Sequence, residues 1–360
     1  MLPIMLAMWI AVQIGPVSKD EPAREPQLAA GGSLVTLAFG SGKAIYSSVS
    51  RDRGATFSPP VKVAETGILP LTRHRGPHIA VAGHTIVITA VAGKTLAEGP
   101  HAHGLPSDGD LQVWRSADGG RSWRQGAPIN DVPGSATEGL HALATDGKDR
   151  LFAVWLDKRG RDGTRLYGAV STDSGATWSK NVLVYQSPGG SICECCHPSA
   201  AIRSNGEIVV MWRNSLDGSR DLYLATSRDG ETFAPPRKLG MGTWQLNACP
   251  MDGGGLAVSG NKILTSWRRE GHVFLAEPGH AEQQMGTGKD VALALSGART
   301  YVAWVDTSAV KVWIDGEVET LSTAGAFPAL LGLPGGEALA AWEEAGAIQL
   351  RRLPAAAHEN

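Results

Sequence analysis

The sequence predicts an all-β chain folded as a β-propeller of seven blades, with six as the alternative, and three observations point there. An eight-residue pattern, Ser-x-Asp-x-Gly-x-Thr/Ser-aromatic, recurs at nearly even spacing. Apolar runs ending in Trp recur in a second, offset register. The composition, 45 Gly, 21 Pro and 11 Trp against only 5 Tyr in 360 residues, suits many tight turns and repeated aromatic anchors. Such a length exceeds one ordinary compact domain unless the chain is a barrel or an array of repeated units.

The chain opens on MLPIMLAMWIAVQIG, a continuous apolar run followed by the polar SKDEPAREP. Residues 1–16 read as an export signal, with a short anchor or a misassigned start codon as alternatives. Residues 17–25 read as a linker and 26–355 as a single propeller domain, placed in the periplasm or outside the cell. No later stretch is long and apolar enough to span a bilayer, which excludes an integral membrane protein. With 42% hydrophobic and 19% charged residues and a net charge of -2, the chain is neither disordered nor a polyanion binder, and nucleic acid is excluded as a partner.

The boxes are Ser50 to Phe57, Ser116 to Trp123 and Ser171 to Trp178, with a copy one residue shorter from Ser227 to Phe233. Asp52, Asp118, Asp173 and Asp229 fall 66, 55 and 56 residues apart, one four-stranded blade per period. Each box follows a β-rich run, so its Asp can accept backbone N–H bonds across a hairpin turn while Gly takes the left-handed conformation. The terminal aromatic then packs between strands. These aspartates are therefore expected to be structural.

Apolar runs end in Trp155, Trp212, Trp267, Trp304 and Trp342, each reading as the second strand of a blade. Leu34 to Phe39 and Thr85 to Val91 are the equivalents in the first two repeats, which brings the count to seven. Six blades result if the two chain ends instead merge into one closing blade.

The boxes resemble the Asp-box, or BNR, repeat of sialidase-type β-propellers, and the likeness runs from about Gln27 to Leu353. It implies the fold, and by extension an exo-sialidase type of glycoside hydrolase. That activity in the family depends on an Arg triad, an Arg-Ile-Pro segment, a Tyr nucleophile paired with Glu, and an Asp acid/base. Here the nearest segment to Arg-Ile-Pro is Arg75-Gly76-Pro77. Tyr46, Tyr167 and Tyr223 each precede a box by four residues, and Tyr301 lies inside a strand, leaving Tyr185. Arg75, Arg159, Arg213 and Arg268 are the candidates for clamping an anionic ligand.

The unusual chemistry lies in SICECCHPSA and LNACPMDGG. Cys193 and Cys249 are 56 residues apart, the blade period, so adjacent blades should present thiols at one end of the propeller axis. Histidine recurs at comparable points: His78, His141 and His197 each open a repeat. Cys193, Cys195, Cys196, Cys249, Met251 and these three histidines are thus expected to converge on the channel mouth. Thiolate, imidazole and thioether suit a soft or borderline metal, copper(I) ahead of zinc. In an exported protein Cys196 and Cys249 could instead form an inter-blade disulfide, with Cys193 and Cys195 a second, strained pair or free thiols, and a redox or nucleophilic cysteine is the remaining alternative. The loop Glu98 to Asp110, with His101 and His103, lengthens the second repeat and reads as a lid or auxiliary ligand.

The leading expectation is an exported, monomeric propeller binding a soft metal such as copper at one end of its channel. A sialidase-like glycosidase acting on a glycan is the rival, and a disulfide-stabilised protein-interaction platform the third.

Overall fold

The computed structural model describes residues 11–99, 102–160 and 162–355. They form seven four-stranded antiparallel sheets, and among the described residues there is no helix, so none is long and apolar enough to cross a membrane. The inner strands are Ala23–Gly31, His78–Ala82, His141–Thr145, Ser199–Ile202, Gly254–Ser259, Lys289–Ser296 and Ala326–Leu333, which open blades one to seven. All seven line one central channel of about 280 Å³.

Both expectations about the chain ends meet in one arrangement: there are seven blades, and the seventh is completed by the other end of the chain. Val12–Ile14 pairs antiparallel with Ala347–Leu353, Val12 opposite Leu350 and Ile14 opposite Ile348. The strand thus begins inside the stretch expected as a leader, whose residues 1–10 lie outside the described residues. Ala23 to Glu25, expected as linker, begin the inner strand of blade one.

Packing explains why the ring closes. The seven main clusters of buried apolar side chains each draw on two neighbouring blades, one cluster per junction. Trp155, Trp212, Trp267, Trp304 and Trp342 all sit on second strands and are at most 2% exposed. Phe39 takes the corresponding role in blade one. Each such ring fills space between sheets, where truncation to Ala typically costs about 3–5 kcal/mol.

The four boxes occupy the turns between third and outer strands. Asp52 Oδ1 accepts from the Ser50 hydroxyl at 2.7 Å and the Thr56 N–H at 2.9 Å, and Oδ2 accepts from the Thr56 hydroxyl. Asp118 and Asp173 repeat this set, and Asp229 keeps the bonds to Ser227 and the turn amides. The box glycines, Gly54, Gly120, Gly175 and Gly230, hold φ between 79° and 88°, which the turn requires. These hydrogen bonds, led by those from the following Thr or Ser, bring Asp52 down to about 2 and lower Asp118 further. Because strands alternate in direction, the boxes lie at the opposite end from the starts of the inner strands.

Candidate metal centre

At the end where inner strands start, blades four and five bring the sulfur ligands together. Cys193, Cys195 and Cys196 fold as a tight turn ahead of Ser199–Ile202, and all three are buried. Their sulfurs lie 3.3 Å (Cys193 to Cys196), 3.6 Å (Cys193 to Cys195) and 3.9 Å (Cys195 to Cys196) apart. Met251, from the segment that opens blade five, packs against the three. Cys249 on the same segment is exposed, and its thiol interacts with that of Cys195.

All four cysteines are free thiols, so neither the Cys196–Cys249 nor the Cys193–Cys195 disulfide is formed. Within the CECC turn the close partner of Cys196 is Cys193. The Cys195 thiol and then burial push Cys193 up to about 12 against the pull of Cys196, and burial first, then Cys193, raises Cys196. A thiol held protonated is a poor nucleophile, which argues against a reactive cysteine.

The histidines form a different assembly. His78 and His141 pack edge to face with ring centroids 4.4 Å apart, and His141 Nε2 meets the Thr89 hydroxyl at 3.0 Å. His197 packs on His74, centroids 4.3 Å apart. None of these rings joins the close group of three sulfurs. The expected single cluster is thus two clusters. Cys196 and His197 precede the strand Ser199–Ile202, and in that turn Cys196 faces the other sulfurs while its neighbour His197 lines the channel.

Sequence reading passed over the centre of the second cluster. His74 Nε2 lies 2.9 Å from Asp290 Oδ1, and its N–H donates to Glu25 Oε1 at 3.0 Å. Asp290 N–H donates to Asp252 Oδ2 at 3.1 Å, and Glu25 N–H to Glu343 Oε1 at 2.7 Å. Ligand atoms of His74, Asp252 and Asp290 all fall within 4.8 Å of one another, a spacing that can hold a metal ion, as can that of the three thiols. The inner strands of blades one, six and seven bulge at equivalent points, where Glu25, Asp290 and Phe327 adopt φ of 53°, 55° and 47°. Such bulges re-aim side chains, and no residue count reveals them. The available signal was the run Arg73-His74-Arg75 immediately ahead of an inner strand, and Asp252 beside Met251.

Electrostatics separates the members. Burial pushes Glu25 up to about 8 against the pull of His74, and lifts Glu343 to about 7. Burial works against charge on His74, but the bond to Asp290 and the surrounding carboxylates carry it up to about 9. Burial, then the His74 charge, brings His78 down to about 4, and burial lowers His141 and His197 further. His74 is therefore the one charged imidazole beside three neutral ones.

The four arginines are not arranged as an anion clamp. Arg75 donates through Nε to the Glu138 carbonyl at 2.6 Å. Arg159 is held by Asp157, Asp131 and Asn181 and lies 3.8 Å over the Tyr167 ring. Arg213 is 1% exposed and donates to the carbonyls of Asp252, Arg220, Gly253 and Arg268. Arg268 packs over Trp244. Their charges fasten segments to one another, which leaves three of the four guanidinium groups committed to protein acceptors. Tyr185 stacks on Trp212 and its hydroxyl accepts from Asn214 Nδ2, so it too is a packing residue. In the blade-two loop Leu105 is buried and Leu96 bridges to Pro106, while His101 lies outside the described residues.

No protein-family model matches the chain. A stretch of 107 residues, 27% of this chain, is 36% identical to oxalate oxidase GF-3.8 of Triticum aestivum. The match covers 48% of that protein, so the chain spans about half the length of the curated relative it matches. Among solved structures, a Dyadobacter fermentans protein of unknown function is similar at TM-score 0.58 and 16% identity, covering 96% of this chain and 98% of that one. Penicillium chrysogenum alpha-L-arabinanase gives TM-score 0.56 and 14% identity over 95% and 97%. The leech intramolecular trans-sialidase gives 0.52 and 12% over 92% and 68%. At such identities the likeness is one of fold.

Proposed function

We propose that this is an exported propeller that binds a soft metal ion, copper(I) in preference to zinc, at the thiols of Cys193, Cys195 and Cys196. One observation carries the reading: three buried free sulfurs stand 3.3–3.9 Å apart. Metal–sulfur bonds of about 2.3 Å in a tetrahedral or trigonal set place ligand sulfurs roughly 3.8–4 Å from one another, so the turn is close to the geometry a single ion needs. Met251 and Cys249 supply a thioether and a fourth thiol from the next blade, and an all-sulfur set favours copper(I). The histidines drop out of this ligand set. Export is supported by the apolar opening run, with any cleavage falling ahead of Val12–Ile14, the strand that completes blade seven.

Binding requires the thiols to give up their protons, and the Arg75 and Arg213 charges act on this group, Arg75 on Cys195 and Arg213 on Cys193 and Cys196. A glycoside hydrolase reading draws on fold likeness alone, since Arg75, Arg159, Arg213 and Tyr185 are otherwise engaged. The test is competition of the reduced full chain against a copper(I) chelator, with elemental analysis of protein purified without chelator. One copper(I) per chain is expected, and failure to take up either copper(I) or zinc overturns the reading.

A further inference from the structure

We infer that His74, Asp252 and Asp290 form a second, separate metal site, for a divalent cation of the manganese(II) or zinc class, at the mouth of the central channel. The inference stands apart from the soft-metal reading. Ligand atoms of the three residues already lie within 4.8 Å of one another. Asp252 is 1% exposed, and its Oδ1 is buried with no hydrogen-bond partner, while Oδ2 is used by the Asp290 N–H. A buried carboxylate oxygen without a donor is costly, and a cation is the partner that would satisfy it.

Charge balance points the same way. Glu25, Asp252, Asp290 and Glu343 are all less than 10% exposed and face one another across the mouth. His74, 16% exposed, is the half-buried positive group among them. Arg24 reaches Glu343 at 3.3 Å and Lys289 reaches Asp290 at 3.4 Å, and the charges of Arg213, already bonded to backbone carbonyls, and of Arg268 act on Asp252. A divalent ion between His74 Nε2 and the two aspartates would replace the proton now shared by His74 and Asp290. One imidazole nitrogen with carboxylate oxygens is a harder donor set than the thiols, so the two sites select different metals.

The sites interlock without merging. Met251 belongs to the sulfur group and Asp252 to the other; Cys196 and His197 divide likewise; Arg75 acts on Cys195 while His74 binds Asp290. Gly253 allows this closeness, because a Cβ there would meet His197 Nδ1 at 2.7 Å and its carbonyl oxygen nearer still.

The probe is manganese(II), followed by electron paramagnetic resonance on the reduced full chain, with zinc added as competitor. One manganese(II) per chain, displaced by zinc, is expected. Asp252→Asn and Asp290→Asn should each weaken uptake by at least about tenfold. Cys193→Ser with Cys196→Ser should leave it unchanged while removing copper(I) uptake, so failure of either reading shows independently. Far-ultraviolet circular dichroism establishes that each variant is folded, and His74→Gln replaces any that is not. Absence of uptake in the wild type, or uptake indifferent to these substitutions, overturns the inference.

Discussion

The two ends of this propeller treat aspartate in opposite ways. At the far end Asp52, Asp118, Asp173 and Asp229 are solvent-facing, and each is ringed by a serine hydroxyl, turn amides and, in the first three, a threonine or serine hydroxyl. Their acidity is strengthened. At the channel mouth Glu25, Asp252 and Glu343 are buried and pushed toward the neutral form, and Asp252 Oδ1 has no donor. The same functional group closes a turn as a well-bonded carboxylate at one end and is held buried, toward its neutral form, at the other. Residue type alone therefore says little; the count of donors around each oxygen says which end is structural and which is arranged for a ligand.

The largest effect that would sharpen this contrast lies in the sulfur turn. Cys196→Ser should weaken copper(I) binding by about 100-fold or more, and Cys249→Ser, at the exposed edge, by roughly tenfold, both read by chelator competition. Equal losses would mean that the three buried thiols are not the core of the site.

Acid should act on the far end next. The box carboxylates have folded pKa values below the unfolded one, about 2 for Asp52 and Asp229 against 3.8, so they stabilise the fold above pH 4. That stabilisation is lost as pH falls from about 4 through 2. Thermal scans should show the melting temperature falling steeply in that window, and a flat profile there would break the contrast.

Single neutralisations should then differ in sign. Asp252→Asn removes a buried carboxylate oxygen lacking a partner and should raise the melting temperature of chelator-treated protein by about 2–4 °C, in the manner of functional groups that cost stability. Asp118→Ala should lower it by about 1–2 °C, while leaving copper(I) and manganese(II) uptake untouched. Shifts of the same sign would remove the distinction between the two ends.

How much of this could be read from the sequence depended on what repeats. The blades were legible because Trp155, Trp212, Trp267, Trp304 and Trp342 fill equivalent junctions and the boxes mark equivalent turns, and packing repeats whenever geometry does. The meeting of Cys193, Cys195 and Cys196 with Cys249 and Met251 was legible for the same reason, since the blade period sets adjacent segments side by side. Side-chain direction was not. His78 and His197 share the predicted register yet line the channel, while His141 turns to the Thr89 hydroxyl, and none of the three reaches the sulfurs. Glu25, Asp290 and Phe327 reach the mouth through bulges with positive φ, which leave no mark in a chain that places no glycine there. The disulfide expectation failed on the local turn, which sets Cys193 rather than Cys249 against Cys196.

The alternation of neighbours along three segments, His74 with Arg75, Cys196 with His197, and Met251 with Asp252, has a mechanical outcome. Each pair places one residue in either group, so an ion held by the sulfurs would act through the shared backbone on the imidazole and carboxylates. Whatever affinity change the first ion imposes on the second, the second must return in equal measure. A channel mouth built this way would, with both proposed ions bound, let the hold on one depend on the supply of the other.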